Sequence, residues 1–173
     1  MSMQKENGMK RIMVEKVTVN MGIGNNSEEL KSGQKILEKI TGRKPVQTLC
    51  TVKQPKWNIR PGIPIGLKVT LRKKAAVEFL QRALGAKGNK IGKRSFDNHG
   101  NLGFGIHEYI DLPGIRYDPS LGVRGFDVLV TLQRLGFRVK RRKIRNRKVG
   151  KRHVITKDEA VDFVKSQFGA VVE

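Results

Sequence analysis

Hydrophobic and polar positions alternate from Ile12 to Met21. Ile12, Val14, Lys16, Thr18 and Asn20 share one parity, and Met13, Glu15, Val17, Val19 and Met21 share the other. A period of two predicts a strand, but both parities carry apolar residues, so periodicity leaves its inward face open. The alternation stops at GIGNN (22–26). Asn26 or Ser27 can then cap a helix with Glu28 and Glu29 in its first turn, where carboxylates suit the positive end of the helix dipole. Leu30, Ile36, Leu37 and Ile40 give that helix an apolar stripe, and Gly42 supplies its stop.

Two strand-like runs follow, VQTLCTV (46–52) and IGLKVTLR (65–72), joined by a proline- and glycine-bearing loop. They predict a wide hairpin with an extended tip at 53–64. Residues 73–85 read as a helix, with Ala75, Ala76, Phe79, Leu80, Ala83 and Leu84 on one face. From Gly85 to Gly105 glycines, asparagines and cations predominate, which predicts a long surface loop. GIHEYIDL (105–112) and FDVLVTLQR (126–134) read as further strands, separated by the loop PGIRYDPSLGVRG. Thr156 with Glu159 three residues on is a capping box, opening a last helix that bears Ala160, Phe163, Val164 and Phe168. The expected fold is α+β: a mostly antiparallel sheet of four or five strands, three helices packed on one face, long basic loops and an extended hairpin. A chain of 173 residues suits a single domain, with residues 1–11 as a polar lead-in and 138–152 as a basic segment.

Charge changes the picture most. Thirty-six Lys and Arg face 15 Asp and Glu, a net +21, which is tolerable mainly beside a polyanion: nucleic acid, an anionic membrane face or an acidic protein. No apolar run approaches the roughly 18–20 residues of a membrane span. The N-terminus lacks the apolar stretch of a signal peptide. The single cysteine, Cys50, fits a reducing cytosol, and with three scattered histidines (His99, His107, His153) it matches no usual zinc pattern. The expectation is a soluble, intracellular protein without metal or cofactor.

Catalytic motifs fail on inspection. GIG (22–24) lacks the third glycine of a dinucleotide turn, because Ser27 stands there. GNKIGKRS (88–95) misses a phosphate-binding P-loop by one spacer residue and by Arg94, and reads as a flexible basic loop. Cys50 sits among alternating neighbours as a half-buried strand residue, with no histidine in a recognisable catalytic context. Glu28/Glu29 and Asp158/Glu159 fall in first turns of helices, where capping and the dipole account for them. A small RNA-modifying enzyme would need a cofactor loop or an acid–base group that these tests do not leave.

The cations are segregated. No acid interrupts the chain between Glu38 and Glu78, while Lys39, Arg43, Lys44, Lys53, Lys56, Arg60, Lys68, Arg72, Lys73 and Lys74 accumulate. FRVKRRKIRNRKVGKR contributes ten more from Arg138 to Arg152, again without an acid. A solvated charge face would intersperse both signs; a phosphate backbone instead relieves the self-repulsion and releases counterions. No helix-turn-helix, zinc finger or basic zipper is present to enter a DNA groove. A sheet with glycine-bearing loops and few aromatics suits docking on a folded RNA surface. A membrane-surface role would want basic amphipathic helices, whereas the two basic stretches read as loop and strand.

VNMGIG (19–24), TGRKPV (41–46), RPGIPIGLKVTLR (60–72), SFDNHGNLGFGIHEYID (95–111) and YDPSLGVRGFDV (117–128) resemble the family of large-subunit ribosomal protein five. The likeness runs collinearly from about Val14 to the C-terminus, and the basic run followed by TKDEAVDFV looks like the archaeal and eukaryotic branch. The resemblance implies a non-enzymatic protein of the cytoplasmic ribosome that binds 5S rRNA and large-subunit rRNA in the central protuberance, beside neighbouring proteins there. It also implies a small-subunit protein as partner at an intersubunit bridge, and a hairpin loop that reaches P-site tRNA. Carried onto this chain, the 5S rRNA face takes Asn20, with Met21 and Gly22 beside it, and Thr70, with Arg72 beside it. Arg43, with Lys44, stands where many bacterial members have Gln, so a cation replaces an amide. The tRNA-proximal loop takes Lys53, Lys56, Trp57 and Arg60, with Pro55, Pro61 and Pro64 stiffening it. Trp57 either lies against RNA or packs on its own loop or a neighbouring protein. Further rRNA phosphates fall to Arg141, Arg142, Lys143, Arg145, Arg147 and Lys148.

Overall fold

A computed structural model describes residues 7–173, so residues 1–6 of the polar lead-in lie outside the described residues. Strand β1 (Ile12–Gly22) runs the length of the sheet and leads into helix α1 (Ser27–Thr41). Strands β2 (Val46–Leu49) and β3 (Pro64–Leu71) form the hairpin, and helix α2 (Lys74–Ala86) returns across the sheet. Next come β4 (Lys90–Ile91), β5 (Leu102–Ile106) and β6 (Phe126–Arg134). A single helical turn α3 (Arg138–Arg141), helix α4 (Lys157–Phe168) and β7 (Val171–Val172) complete the chain. The main sheet is antiparallel throughout, in the order β2-β3-β1-β6-β5, while β4 and β7 pair in parallel as a separate ribbon.

The open question about β1 has a structural cause. Its register against β6 shifts between Val14 and Lys16, leaving Glu15 as the extra residue of a β-bulge. Val17, Val19 and Met21 are buried, and on the other side of the bulge Ile12 and Val14 pack against the same core. One inserted residue thus moves the apolar parity from even to odd, which is why neither parity alone reads as the inward face.

Helix α1 starts at Asn26, whose side chain accepts the Glu28 N–H at 3.1 Å, and ends at Gly42 in the left-handed conformation. Its stripe of Leu30, Ile36, Leu37 and Ile40 is buried against the sheet. Gly33 marks the tightest approach: a Cβ there would fall 2.5 Å from Ile23 Cδ1 and within 3.3 Å of Met21 Sδ and Leu67 Cδ1. Ala76, Phe79, Leu80, Ala83 and Leu84 of α2 fill the same layer, and Ala160, Val161 and Val164 of α4 extend it. The Thr156–Glu159 capping box of α4 is formed in both directions, and Phe163 and Phe168 pack edge to face at the margin of the core.

Several expectations are corrected. The first hairpin strand spans only 46–49, because Pro64 opposite Leu49 has no N–H to donate and the register shifts there. Cys50 therefore lies half-buried just past β2, its N–H bonded to the Ile63 carbonyl and its carbonyl to the Gly62 N–H. The stretch 85–105 is not a surface loop: Ile91, Phe96, Leu102 and Phe104 are buried, and GNKIGKRS contains β4 and a 3-10 turn. The strand ahead of Phe126 is LGFGI, not GIHEYIDL; Gly103 and Gly105 leave one face of β5 bare and so hide its alternation. Tyr109 sits instead in a 3-10 turn, fully buried, its hydroxyl accepting the Asp118 N–H at 3.2 Å. No helix among the described residues is long and apolar enough to cross a membrane.

Candidate nucleic-acid interface

The sheet face away from α1 and α2 carries two cross-strand rows. Register places Val46, Lys68, Asn20, Asp127 and Gly105 in one row, and Thr70, Thr18, Leu129 and Gly103 in the next. Lys68, Thr70, Asp127 and Leu129 are exposed and Asn20 and Thr18 half-buried, so this face is open to solvent. Asn20 and Thr70 belong to separate stretches of the sequence, with a helix and a strand between them, yet become diagonal neighbours on adjacent strands. Gly22 faces Gly66 at the end of the sheet, where a Cβ on Gly66 would come within 2.8 Å of the Met21 carbonyl. Arg43 and Lys44, exposed after the end of α1, lead through buried Pro45 into Val46 and so reach the first row from the β2 edge.

Met21 is the exception: its side chain is buried among the core residues and is closed to any ligand. Lys68 is the converse, paired with Asn20 on the open face though sequence reasoning counted it only as one cation of a run. Its signal was the outward parity it shares with Thr70 and Arg72. Lys39, counted in the same run, belongs to the helical side, where its Nζ donates to the Arg116 carbonyl at 3.2 Å and lies 4.0 Å from Asp118.

The two basic stretches protrude from opposite ends of β1. Leu49 pairs with Pro64 beyond the Gly22–Gly66 pair, so the hairpin tip extends past the Gly22 end. Its backbone is closed by a Gln54–Ile59 bridge, a 3-10 turn over Pro55–Trp57 and Asn58 at φ 56°. Lys53, Lys56 and Arg60 are exposed, and Trp57 is 69% exposed, so most of its surface is uncovered by its own loop. Arg134 pairs with Ile12, so the basic segment leaves β6 at the other end. It is not strand-like: α3 is followed by a loop in which Arg142 Nε donates to the Arg145 carbonyl at 2.7 Å and the Arg147 N–H to the Val139 carbonyl. Arg142, Lys143, Arg145, Arg147 and Lys148 are all exposed.

Carboxylates brace this second end. Arg141 and Arg72 both pair with Glu15, so Arg72, on the same parity as Lys68 and Thr70, is also tied to the basic segment. Arg134, 6% exposed, donates to Glu159 at 2.6 Å, and its Nε has no hydrogen-bond partner among the described residues. Burial pushes the Glu159 carboxyl up, but the Thr156 N–H and the Arg134 guanidinium outweigh it and hold it below its ordinary range. On the helical side, the Arg124 guanidinium 2.7 Å from Glu29 likewise holds that carboxyl down. His153 Nε2 bonds the Leu135 carbonyl at 2.8 Å and its ring meets Phe137 edge-on, closing the base of the segment.

Helix α2 differs from α1 and α4 at its start. It has no side-chain cap and no acid in its first turn, and Arg72, Lys73 and Lys74 gather there, with Lys73 at φ 57°. Cations at the positive end of a helix dipole are unfavourable in isolation. The arrangement as a whole offers hydrogen bonds from an open sheet and cations at both of its ends, which matches a large polyanionic surface better than a small ligand.

Comparison with known proteins identifies the family. The family description "Ribosomal protein L5" matches residues 7–60, and the description of that ribosomal family's C-terminus matches residues 64–166. The two meet in the hairpin loop, so a single sheet draws strands from both. The chain is 44% identical to "Large ribosomal subunit protein uL5" of Sulfolobus acidocaldarius, over 99% of this chain and 98% of the relative. It is 46% identical to the protein of that name from Methanococcus maripaludis, over 95% and 92%, and 43% identical to that of Nitrosopumilus maritimus, over 99% of each. With both halves matched and relatives of this identity along nearly the whole length, the chain belongs to the ribosomal protein L5 family.

Proposed function

We propose that this chain is a structural, non-enzymatic constituent of the large ribosomal subunit that binds 5S rRNA with its open sheet face and helps attach it in the central protuberance. The observation that carries the reading is the placement of Asn20, Thr70 and Lys68 side by side on an uncovered face between two cationic protrusions. Asn20 and Thr70 supply short, directional hydrogen bonds, which discriminate a folded RNA shape, while lysines and arginines supply affinity without choice. Arg43 and Lys44 extend the contact from the β2 edge. The hairpin tip, with Lys53, Lys56, Arg60 and the exposed Trp57, reaches toward P-site tRNA, Trp57 lying against a sugar or base. The basic segment meets phosphates of large-subunit rRNA through Arg142, Lys143, Arg145, Arg147 and Lys148. A small-subunit protein across an intersubunit bridge and neighbouring central-protuberance proteins complete the surroundings.

The test is binding to 5S rRNA across a salt series, with tRNA and an unrelated folded RNA as competitors. Counterion release lowers affinity for all three as salt rises. The expected result is that 5S rRNA keeps an advantage of at least about tenfold at the highest salt, where hydrogen-bonded shape recognition persists. Convergence of the three RNAs would reduce the protein to a polycation and overturn the reading.

A further inference from the structure

Arg72 and Arg141 come from different parts of the chain, one just past β3 and the other ending α3, yet the structure joins them through one side chain. Glu15, the bulged residue of β1, pairs through Oε1 with Arg72 Nη1 at 3.5 Å and through Oε2 with Arg141 Nη2. The carboxylate is only 8% exposed, whereas Arg72 and Arg141 remain 55% and 47% exposed. The two arginines thus lie against a largely buried carboxylate while about half of each side chain stays open to solvent. Gln133 holds Arg141 from a second side, its Oε1 accepting from Nη2 at 3.4 Å.

Two cations drawn to one anion leave a net positive site with several guanidinium donors converging from two segments. Two guanidiniums at such separation repel each other unless a carboxylate lies between them. Their outer donors match the oxygens of a phosphate, for which arginine's planar fork is suited. We propose that Arg72 and Arg141 form one binding site for a single RNA phosphodiester, and that Glu15 is its positioning residue. The inference rests on the RNA-binding reading and deepens it: two contacts expected at separate places become one. Glu15 then strengthens RNA binding although it carries the same charge as RNA. The bulge is what delivers it, since it inserts the carboxylate between β3 and the segment that follows β6.

Bulk electrostatics predicts the opposite sign, which makes the proposal testable. RNA affinity is measured for the wild-type chain, Glu15→Gln, Arg72→Gln, Arg141→Gln and the double arginine variant, with Glu78→Gln on exposed α2 as the charge control. Thermal melting and amide exchange over residues 138–147 of the RNA-free proteins accompany the binding data. In a shared site each arginine variant weakens binding about tenfold and the double variant hardly more, because either loss already breaks the fork. Glu15→Gln weakens binding about three- to tenfold and speeds exchange over 138–147, while Glu78→Gln leaves affinity equal or tighter. Multiplicative arginine effects, near a hundredfold in the double variant, overturn the shared site, and a Glu15→Gln protein that binds RNA as tightly as Glu78→Gln overturns the positioning role. The couplings are read on 5S rRNA and on an unrelated folded RNA alike. Loss of preference between those RNAs would thus refute the proposed function while leaving the couplings to decide the site.

Discussion

The hairpin tip and the basic segment are both cationic, both free of acids in sequence, and placed at opposite ends of the same strand, yet they are held in shape by different means. The tip is shaped by its own backbone: the Gln54–Ile59 bridge, the 3-10 turn at Pro55 and the left-handed Asn58 close it within a few residues. The basic segment has local bonds too, from Arg142 to the Arg145 carbonyl and from the Arg147 N–H to the Val139 carbonyl, but it is also anchored from a distance, with Glu15 holding Arg141 and the Leu135 carbonyl holding His153. A locally closed loop can reach far from the body and keep its form, as a contact to a distant ligand requires. A segment braced from the sheet stays close to it. The same composition therefore serves two different mechanical roles.

The largest expected effect separates the two ends. Deleting residues 142–149 removes five exposed cations and is expected to weaken rRNA binding by about a hundredfold or more at moderate salt, with a shallower salt slope. Deleting 54–63 is expected to leave 5S rRNA affinity within about threefold while impairing tRNA-linked steps of translation. Filter binding and translation assays on reconstituted subunits check both, and equal losses of 5S binding would place the tip inside the 5S site.

Between the ends, Asn20→Ala combined with Thr70→Ala is expected to lower 5S affinity by about ten- to thirtyfold, as for two lost hydrogen bonds, with the salt slope unchanged. Titration at several salt concentrations reads both quantities. A slope that falls with the affinity would assign these positions to phosphate contact rather than to shape recognition.

A smaller effect concerns the brace itself. Glu159→Gln leaves the buried Arg134 without its counter-charge and is expected to cost about 1–2 kcal/mol at pH 7 in chemical denaturation. Because the folded-state pKa of Glu159 is lowered from its ordinary 4.5, its contribution is present above that value and is lost as pH falls through the folded-state value. The wild-type and variant stability curves are expected to converge once pH has fallen below the lowered folded-state value. The partial exposure of Glu159 keeps its ionic part small, so most of the difference reflects the uncompensated arginine. The tip, braced by no carboxylate among the described residues, gives the matching control: its amide protection factors, corrected for the intrinsic pH dependence of exchange, should not change with acid over the same range.

Much of the molecule is legible in the sequence. Asn26, the Glu28–Glu29 pair, Gly42 and the Thr156–Glu159 box marked helix ends because caps and dipoles act within one turn. The stripes of α1 and α2, the strand at 126–134 and the two acid-free cationic stretches were likewise readable, since periodicity and charge sums belong to contiguous residues. Asn20 and Thr70 were named from family likeness alone; no local pattern told them from other polar strand residues.

The sequence by itself thus determined the α+β class, helices α1, α2 and α4 with the caps of α1 and α4, and the cationic character that calls for a polyanion. Tertiary structure decided which parity of β1 faces inward, because a bulge is defined only against the partner strand. It decided that the glycine-broken LGFGI is a strand, because β6 supplies the hydrogen bonds that its own propensity does not. It also joined Arg72 to Arg141 through Glu15, an association of residues far apart in sequence. Such pairings depend on which strands become neighbours, and that choice is settled by burying the whole core rather than by any stretch of residues alone.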